Sequence, residues 1–289
     1  MSLIDGRAIA AAITRDVAAR AAGLRARAVV PTLAVVVPTT DEAALWYVRS
    51  ITRAADRTGV ECRVLHLPQP SGPELAATLR DLSADAAVHG VICQTPLPAG
   101  LSLSEVGGDI DPAKDVDGAS PTSLGRLAAG RPAFAPATAA AVLEILRHER
   151  TPLTGARGVV VGRSIVVGKP AALLLLAENA TVTVCHSRTT GLAEICAGAD
   201  VLVAAVGRAH FIGADFVKPG AVVIDVGTNP TPDGGLVGDV DADAVAGRAG
   251  RLTPVPGGVG PVTTALLLRH VVTAAEAAGE AGPAGQDSR

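Results

Sequence analysis

Aromatic residues are scarce in this chain of 289 residues, with one Trp, one Tyr and three Phe (Trp46, Tyr47, Phe134, Phe211, Phe216). Rows of stacking rings that hold single-stranded nucleic acid cannot be built from so few. An excess of positive charge is missing as well. The formal net charge is −3 and no stretch is strongly basic, so neither nucleic acid nor an anionic membrane is expected as a partner. Long apolar runs are absent: blocks such as AALLLLA at 171–177 are too short to span a bilayer. The opening segment, MSLIDGRAIA, lacks a charged leader ahead of an apolar core, and a cytoplasmic protein is expected. Cys62, Cys93, Cys185 and Cys196 form no CxxC pair and do not cluster with other metal ligands. No metal site is expected, and the thiols read as buried groups in a reducing compartment. Lysine is rare too, with Lys114, Lys169 and Lys218 only.

What the chain does have is Ala, Val and Leu in a repeating strand–helix order. Helical patterns cover 4–27, 41–58 (ended by Gly59), 73–82, 138–149, 168–178, 190–197 and 262–278. Apolar runs that read as buried strands cover 33–37, 60–66, 88–93, 157–161, 181–185, 200–206 and 221–226. Continuous apolar strands spaced by helices predict parallel sheets covered on both faces, an α/β fold. The length suits two domains. The tail EAAGEAGPAGQDSR has the composition of a disordered segment.

The strongest local motif is Gly162-Arg163-Ser164-Ile165-Val166-Val167-Gly168-Lys169-Pro170, between a predicted strand and a predicted helix. Glycines allow a tight turn and close approach of a phosphate, and the amides at a helix start bind anionic oxygens. The motif departs from GxGxxG, because Ser164 takes the second glycine position. The next strand ends in Cys185-His186-Ser187-Arg188-Thr189. A site for NAD usually carries an acid near there, bonded to the ribose hydroxyls. Here no carboxylate is present. Ser187 can donate to a phosphate, and Arg163 and Arg188 can offset its charge. The pattern leans to NADP.

Six pieces, the cofactor turn among them, carry a resemblance. They are Gln94-Thr95-Pro96-Leu97-Pro98, Lys114-Asp115-Val116-Asp117-Gly118, the cofactor turn, Asp225-Val226-Gly227, Gly238-Asp239-Val240 and Thr253-Pro254-Val255-Pro256-Gly257-Gly258-Val259-Gly260-Pro261. With these, from about residue 3 to 275, the sequence resembles the bifunctional methylenetetrahydrofolate dehydrogenase/cyclohydrolase family. The resemblance implies a folate-binding catalytic domain over 1–137 plus 262–280 and an NADP-binding Rossmann domain over 138–261. A folate cleft would lie between them, with a disordered tail at 281–289. It implies a tetrahydrofolate one-carbon substrate and a homodimer formed through the Rossmann domain. It also assigns roles. Asp117 would hydrogen-bond the pterin, Gln94 would sit near the reacting carbon and Tyr47 would pack beside the folate. Gly258, Val259 and Pro261 would line the folate pocket. Gly162, Arg163, Ser164, Gly168, His186, Ser187 and Arg188 would hold NADP, with Thr228 on the nicotinamide side.

One departure matters. The family carries a catalytic lysine in a Tyr-Val-x-x-Lys helix, and here the helix reads Tyr47-Val48-Arg49-Ser50-Ile51. Ile51 stands one turn from Tyr47, whereas Arg49 and Arg53 point elsewhere. Hydride transfer needs the two carbons held together and no proton donor. Hydrolysis of the methenyl product needs protons moved. The expectation is a retained dehydrogenase and a weak or lost cyclohydrolase. Three alternatives stay open: an ordinary bifunctional enzyme, a paralogue acting on another folate adduct, and a binding module without catalysis.

Overall fold

The computed structural model describes residues 1–280. The tail expected at 281–289 lies outside the described residues. In chain order the elements are β1 (Ser2–Leu3), α1 (Gly6–Ala26), β2 (Thr32–Val37), α2 (Glu42–Thr58), β3 (Glu61–His66), α3 (Gly72–Ala84), β4 (Gly90–Cys93), α4 (Leu103–Val106) and α5 (Pro121–Ala128). There follow α6 (Ala137–His148), β5 (Arg157–Val161), α7 (Gly168–Ala177), β6 (Thr181–Cys185), α8 (Leu192–Cys196), β7 (Val201–Ala204) and β8 (Val222–Asp225). The chain closes with β9 (Asn229–Pro230), β10 (Leu236–Val237), α9 (Ala242–Val245), β11 (Arg251–Leu252) and α10 (Val259–Glu280).

Contacts divide the chain into two compact units. The unit that holds most of the expected folate domain, labelled the folate-side unit, comprises Ala12–Arg126, Pro132–Ala135 and residues 264–280; the other, labelled the nucleotide-side unit, comprises Met1–Ala11, Leu127–Arg131 and Pro136–Thr263. This partition differs from 1–137 plus 262–280 by a few residues at 127–131, 136–137 and 262–263, and more largely at the start of the chain. The reason at the start is β1, whose Ser2 and Leu3 pair in parallel with Arg251 and Leu252 of β11. A two-residue strand carries no periodicity by which to be read.

In the folate-side unit the described strands form a parallel sheet in the order β3-β2-β4. The central strand, TLAVVV, is buried at every position, as a strand covered on both faces must be. Leu75 and Leu79 of α3 pack on one face with Ala34, Val36 and Val91. From β2 the chain goes first to β3 on one side and then to β4 on the other. The order therefore reverses at β2, and the crevice beyond the strand ends there is where an open α/β sheet takes ligands.

In the nucleotide-side unit the described strands form a parallel sheet in the order β6-β5-β7-β8-β11-β1. From β6 to β11 this is the doubly wound order 2-1-3-4-5, with its switch point between β5 and β7. The core beneath it joins Val159 and Val161 of β5 to Leu202, Ala204 and Val223 and to Cys185 and Cys196. Burial pushes the Cys93 and Cys196 thiols up to about 12, so they stay protonated and inert at neutral pH.

Candidate active site

Gly162 leaves β5 at the switch point with φ 137°. A Cβ there would lie 2.2 Å from the Ala205 carbonyl oxygen at the exit of β7. The α7 start is equally tight, since a Cβ on Gly168 would lie 2.2 Å from the Gly162 carbonyl oxygen. Only glycine fits both places. Ser164 braces the turn: its Oγ accepts from the amides of Val167 at 3.1 Å and Gly168 at 3.4 Å. Arg163, Ser164 and Lys169 are exposed around it. The Gly162 amide donates to the Cys185 carbonyl at 2.9 Å, which brings the end of β6 alongside. There Thr189 Oγ1 accepts from the His186 amide at 2.9 Å and His186 Nδ1 from the Arg188 amide at 3.2 Å. This small turn leaves Ser187 and Arg188 exposed. Gly162, Arg163, Ser164, Gly168, His186, Ser187 and Arg188 thus come together on one edge of the sheet. The glycine cradle, the helix start and the exposed Ser and Arg fit a phosphorylated dinucleotide. Thr228 is exposed just beyond β8.

In the folate-side unit, α2 starts at its cap Asp41, whose carboxylate accepts from the Ala44 amide at 2.8 Å, and ends at Gly59 in the left-handed region at φ 74°. Between them the helix carries Tyr47 and, one turn on, Ile51. The Tyr47 side chain is half-buried. Burial, with the nearby Asp117 carboxylate, raises its pKa well above the usual phenol value, while a hydrogen bond with the Thr264 side chain pulls the other way. The structure therefore brings Tyr47, Asp117 and Thr264 together. Asp117 is delivered by a braced turn. Asp115 accepts from the amides of Ala119 at 3.1 Å and Ser120 at 3.0 Å and from the Ser123 hydroxyl at 2.6 Å. His270 Nδ1 donates to the Val116 carbonyl at 2.8 Å. Thr264, Asp115 and His270 had not been singled out from the sequence as site residues; their partners are distant along the chain or depend on the turn geometry.

Gln94 follows β4 directly, its amide donating to the Val36 carbonyl at 2.9 Å. Beyond it a cavity of about 290 Å³ opens between the strand ends, lined by Thr39, Thr40, Gln69, Pro96 and Leu97 among others. Ile51 is fully buried, while Arg49 and Arg53 are exposed. Neither Lys114 nor Lys218 is free to replace a lysine at 51: Lys114 donates to the Asp85 carbonyl at 2.7 Å and Lys218 pairs with Asp200. Gly258, Val259 and Pro261 group by contact with the nucleotide-side unit. Gly258 is close-packed, since a Cβ on it would lie 2.6 Å from the Pro254 carbonyl oxygen. Among the described residues no His, Cys, Asp and Glu cluster could hold a metal ion, and no helix is long and apolar enough to cross a membrane.

Two parallel α/β units, one with a glycine turn at the switch point of a doubly wound sheet, define a two-domain enzyme of the nucleotide-binding dehydrogenase class. Residues 4–117 match the model of the tetrahydrofolate dehydrogenase/cyclohydrolase catalytic domain, and residues 136–279 match that of the same family's NAD(P)-binding domain. The chain belongs to the tetrahydrofolate dehydrogenase/cyclohydrolase family. It is 64% identical over 275 residues to the bifunctional protein FolD of Parafrankia sp. (strain EAN1pec), covering 95% of this chain and 99% of that protein. The crystal structure of the bifunctional FolD enzyme of Campylobacter jejuni superposes with a TM-score of 0.93 at 36% identity, over 96% of this chain and 99% of that one. The Trypanosoma brucei enzyme, solved with NADP cofactor and an inhibitor, gives a TM-score of 0.91 at 36% identity, over 96% and 98%.

Proposed function

We propose that this protein oxidises 5,10-methylenetetrahydrofolate to 5,10-methenyltetrahydrofolate with NADP and hydrolyses the methenyl product. The observation that carries the oxidation is the intact turn of 162–168 with Ser187 and Arg188 exposed beside it. NADP held by these residues would supply the hydride acceptor. The chain's own work is to bind and orient. Ser187 and Arg188 engage the ribose phosphate, the α7 amides face the pyrophosphate, and Thr228 borders the nicotinamide. On the folate side Asp117 takes the pterin N–H groups, Tyr47 packs along the ring system and Gln94 stands at the reacting carbon. Holding the two carbons in contact supplies the catalysis, because the folate nitrogen lone pair stabilises the cation that remains.

The second activity is supported by relatives that are 64% and 58% identical and carry the bifunctional name. They favour the ordinary pairing of activities over the weak or lost cyclohydrolase expected from position 51. With no lysine there, Gln94 and the Tyr47 hydroxyl are left to orient the attacking water. A second reading, oxidation without hydrolysis, is favoured by one observation: Ile51 is fully buried on the face that carries Tyr47. Mixing methylenetetrahydrofolate and NADP with the enzyme separates the two. Methenyl absorbance that rises and then decays faster than in buffer supports both activities. A methenyl signal that persists unchanged leaves the dehydrogenase alone, and no signal at all removes the reading.

A homodimer through the nucleotide-side unit is part of the same proposal. It is supported by the unpaired edge of β6, where Val184 is 40% exposed, and by Leu176 of α7, 59% exposed. Light scattering on the purified protein tests it.

A further inference from the structure

Asp239 is fully buried, yet no cation neutralises it among its described partners. Its Oδ2 accepts from the amides of Val206 at 2.6 Å and Gly207 at 3.0 Å, and its Oδ1 from the amide of Arg208 at 2.9 Å. Three consecutive amides converging on one anion form a nest, the concavity that elsewhere binds phosphate or another free anion. Here the chain fills the nest with its own carboxylate, and Gly207, at φ 66°, supplies the left-handed residue it needs. The same Oδ1 accepts from Asn229 Nδ2 at 3.0 Å. Gly227 lies flat against the carboxyl, since a Cβ there would come within 2.3 Å of Asp239 Cγ. Asp239 is itself held by Asp225, whose carboxylate accepts from the amides of Gly227 at 2.9 Å, Asp239 at 3.0 Å and Val240 at 2.9 Å.

The places tied together are not arbitrary. The nest begins one residue after Ala205, the carbonyl on which the Gly162 turn rests at the switch point. Thr228 lies between Gly227 and Asn229, both of them against Asp239. One carboxylate therefore fixes the exit of β7, which backs the cofactor turn, and the exit of β8, which carries the nicotinamide-side threonine. Without it the β7 exit would keep three unpaired amides and the β8 exit would lose its Asn229 tie, and binding would have to order them at a cost in affinity.

We propose that Asp239 is a positioning residue for the cofactor: it stands in for a bound anion, so the β7 and β8 exit loops are shaped before the dinucleotide arrives. This rests on the cofactor assignment above. It extends that assignment to a residue that does not touch the reacting atoms.

The test measures NADPH affinity by the change in nucleotide fluorescence on binding, and KM for NADP and for the folate separately. Asn229→Ala leaves the three nest amides in place and removes the loop-to-loop bond together with the longer bond from Asn229 Nδ2 to the Val237 carbonyl at 3.4 Å; it should weaken NADPH binding about fivefold, the worth of one ordinary hydrogen bond. Asp239→Asn replaces an acceptor oxygen with an amide group facing the same N–H donors, and should weaken binding by about tenfold or more. In both, KM for NADP should rise in step while KM for the folate stays within about twofold, the split expected of a residue that serves one ligand. A residue needed only for folding would lower the melting temperature and leave this split absent. NADPH affinity unchanged in folded Asn229→Ala overturns the proposal, whether or not Asp239→Asn folds. A wild-type protein that binds NADPH but does not oxidise methylenetetrahydrofolate would instead remove the proposed reaction, and the affinity comparison would still decide the role of Asp239.

Discussion

At the scale of single residues, Ile51 decides the most. It sits in the core of its unit, one helical turn from Tyr47. Ile51→Lys would place an amine in a site without solvent, where burial lowers its pKa toward the range useful for proton transfer. Hydrolysis of methenyltetrahydrofolate by the variant should rise by about tenfold or more relative to its dehydrogenase rate. The buried amine should also lower stability by roughly 2–4 kcal/mol. Stopped-flow decay of the methenyl absorbance and urea unfolding check the two parts. A folded variant with unchanged hydrolysis would show that position 51 does not limit the second reaction. Residues legible from the sequence were those in local motifs: the turn at 162–168, the Ser187-Arg188 strand end, Asp117-Gly118. His270 was not legible, because its partner Val116 is 154 positions away. Asp239 could be read as part of a motif, but not as an anion inside a nest of amides 31 to 33 positions earlier.

At the scale of elements, α2 joins local chemistry to the site. Its first turn depends on the Asp41 cap and its last on Gly59. Asp41→Ala should cost about 1 kcal/mol, the usual worth of such a cap. The expected outcome is a lower melting temperature and a raised KM for the folate, because Tyr47 is carried two turns along the same helix; an unchanged KM would mean that packing alone holds the tyrosine. Apolar strands were readable to the residue, as the buried β5 and the edge strand β6 show. The last helix was expected from 262 and begins at Val259. Pro261 explains the difference: proline is tolerated in a first turn, where its missing N–H would have no partner anyway. The short β1 and β11 were missed because two residues display no alternation, and their pairing joins chain segments about 250 positions apart.

At the scale of the whole molecule, acid stability should follow His270. Burial lowers its pKa to about 4, with the bond to Val116 pulling the other way and the Arg269 charge adding to the drop; the Phe134 ring covers it at 5.0 Å. In the unfolded chain the imidazole takes a proton near pH 6.5. The folded state therefore resists protonation between pH 6.5 and 4, and stability is full above that window and lost as pH falls through it. The loss from this group is on the order of 3 kcal/mol. Urea midpoints measured across the window should slope downward with acid in the wild type, and less so in His270→Phe, which cannot titrate. The turn at the end of β6 has a different kind of consequence. Residues 186–189 close on their own bonds, and the side chains of Ser187 and Arg188 stand free of the packing. That turn is a cassette: its contents can be exchanged while its frame stays put. With Ser187 and Arg188 in their proposed place at the ribose phosphate, cofactor preference is the trait this protein can change with least disturbance, whereas any change at position 51 must first be accommodated by the core.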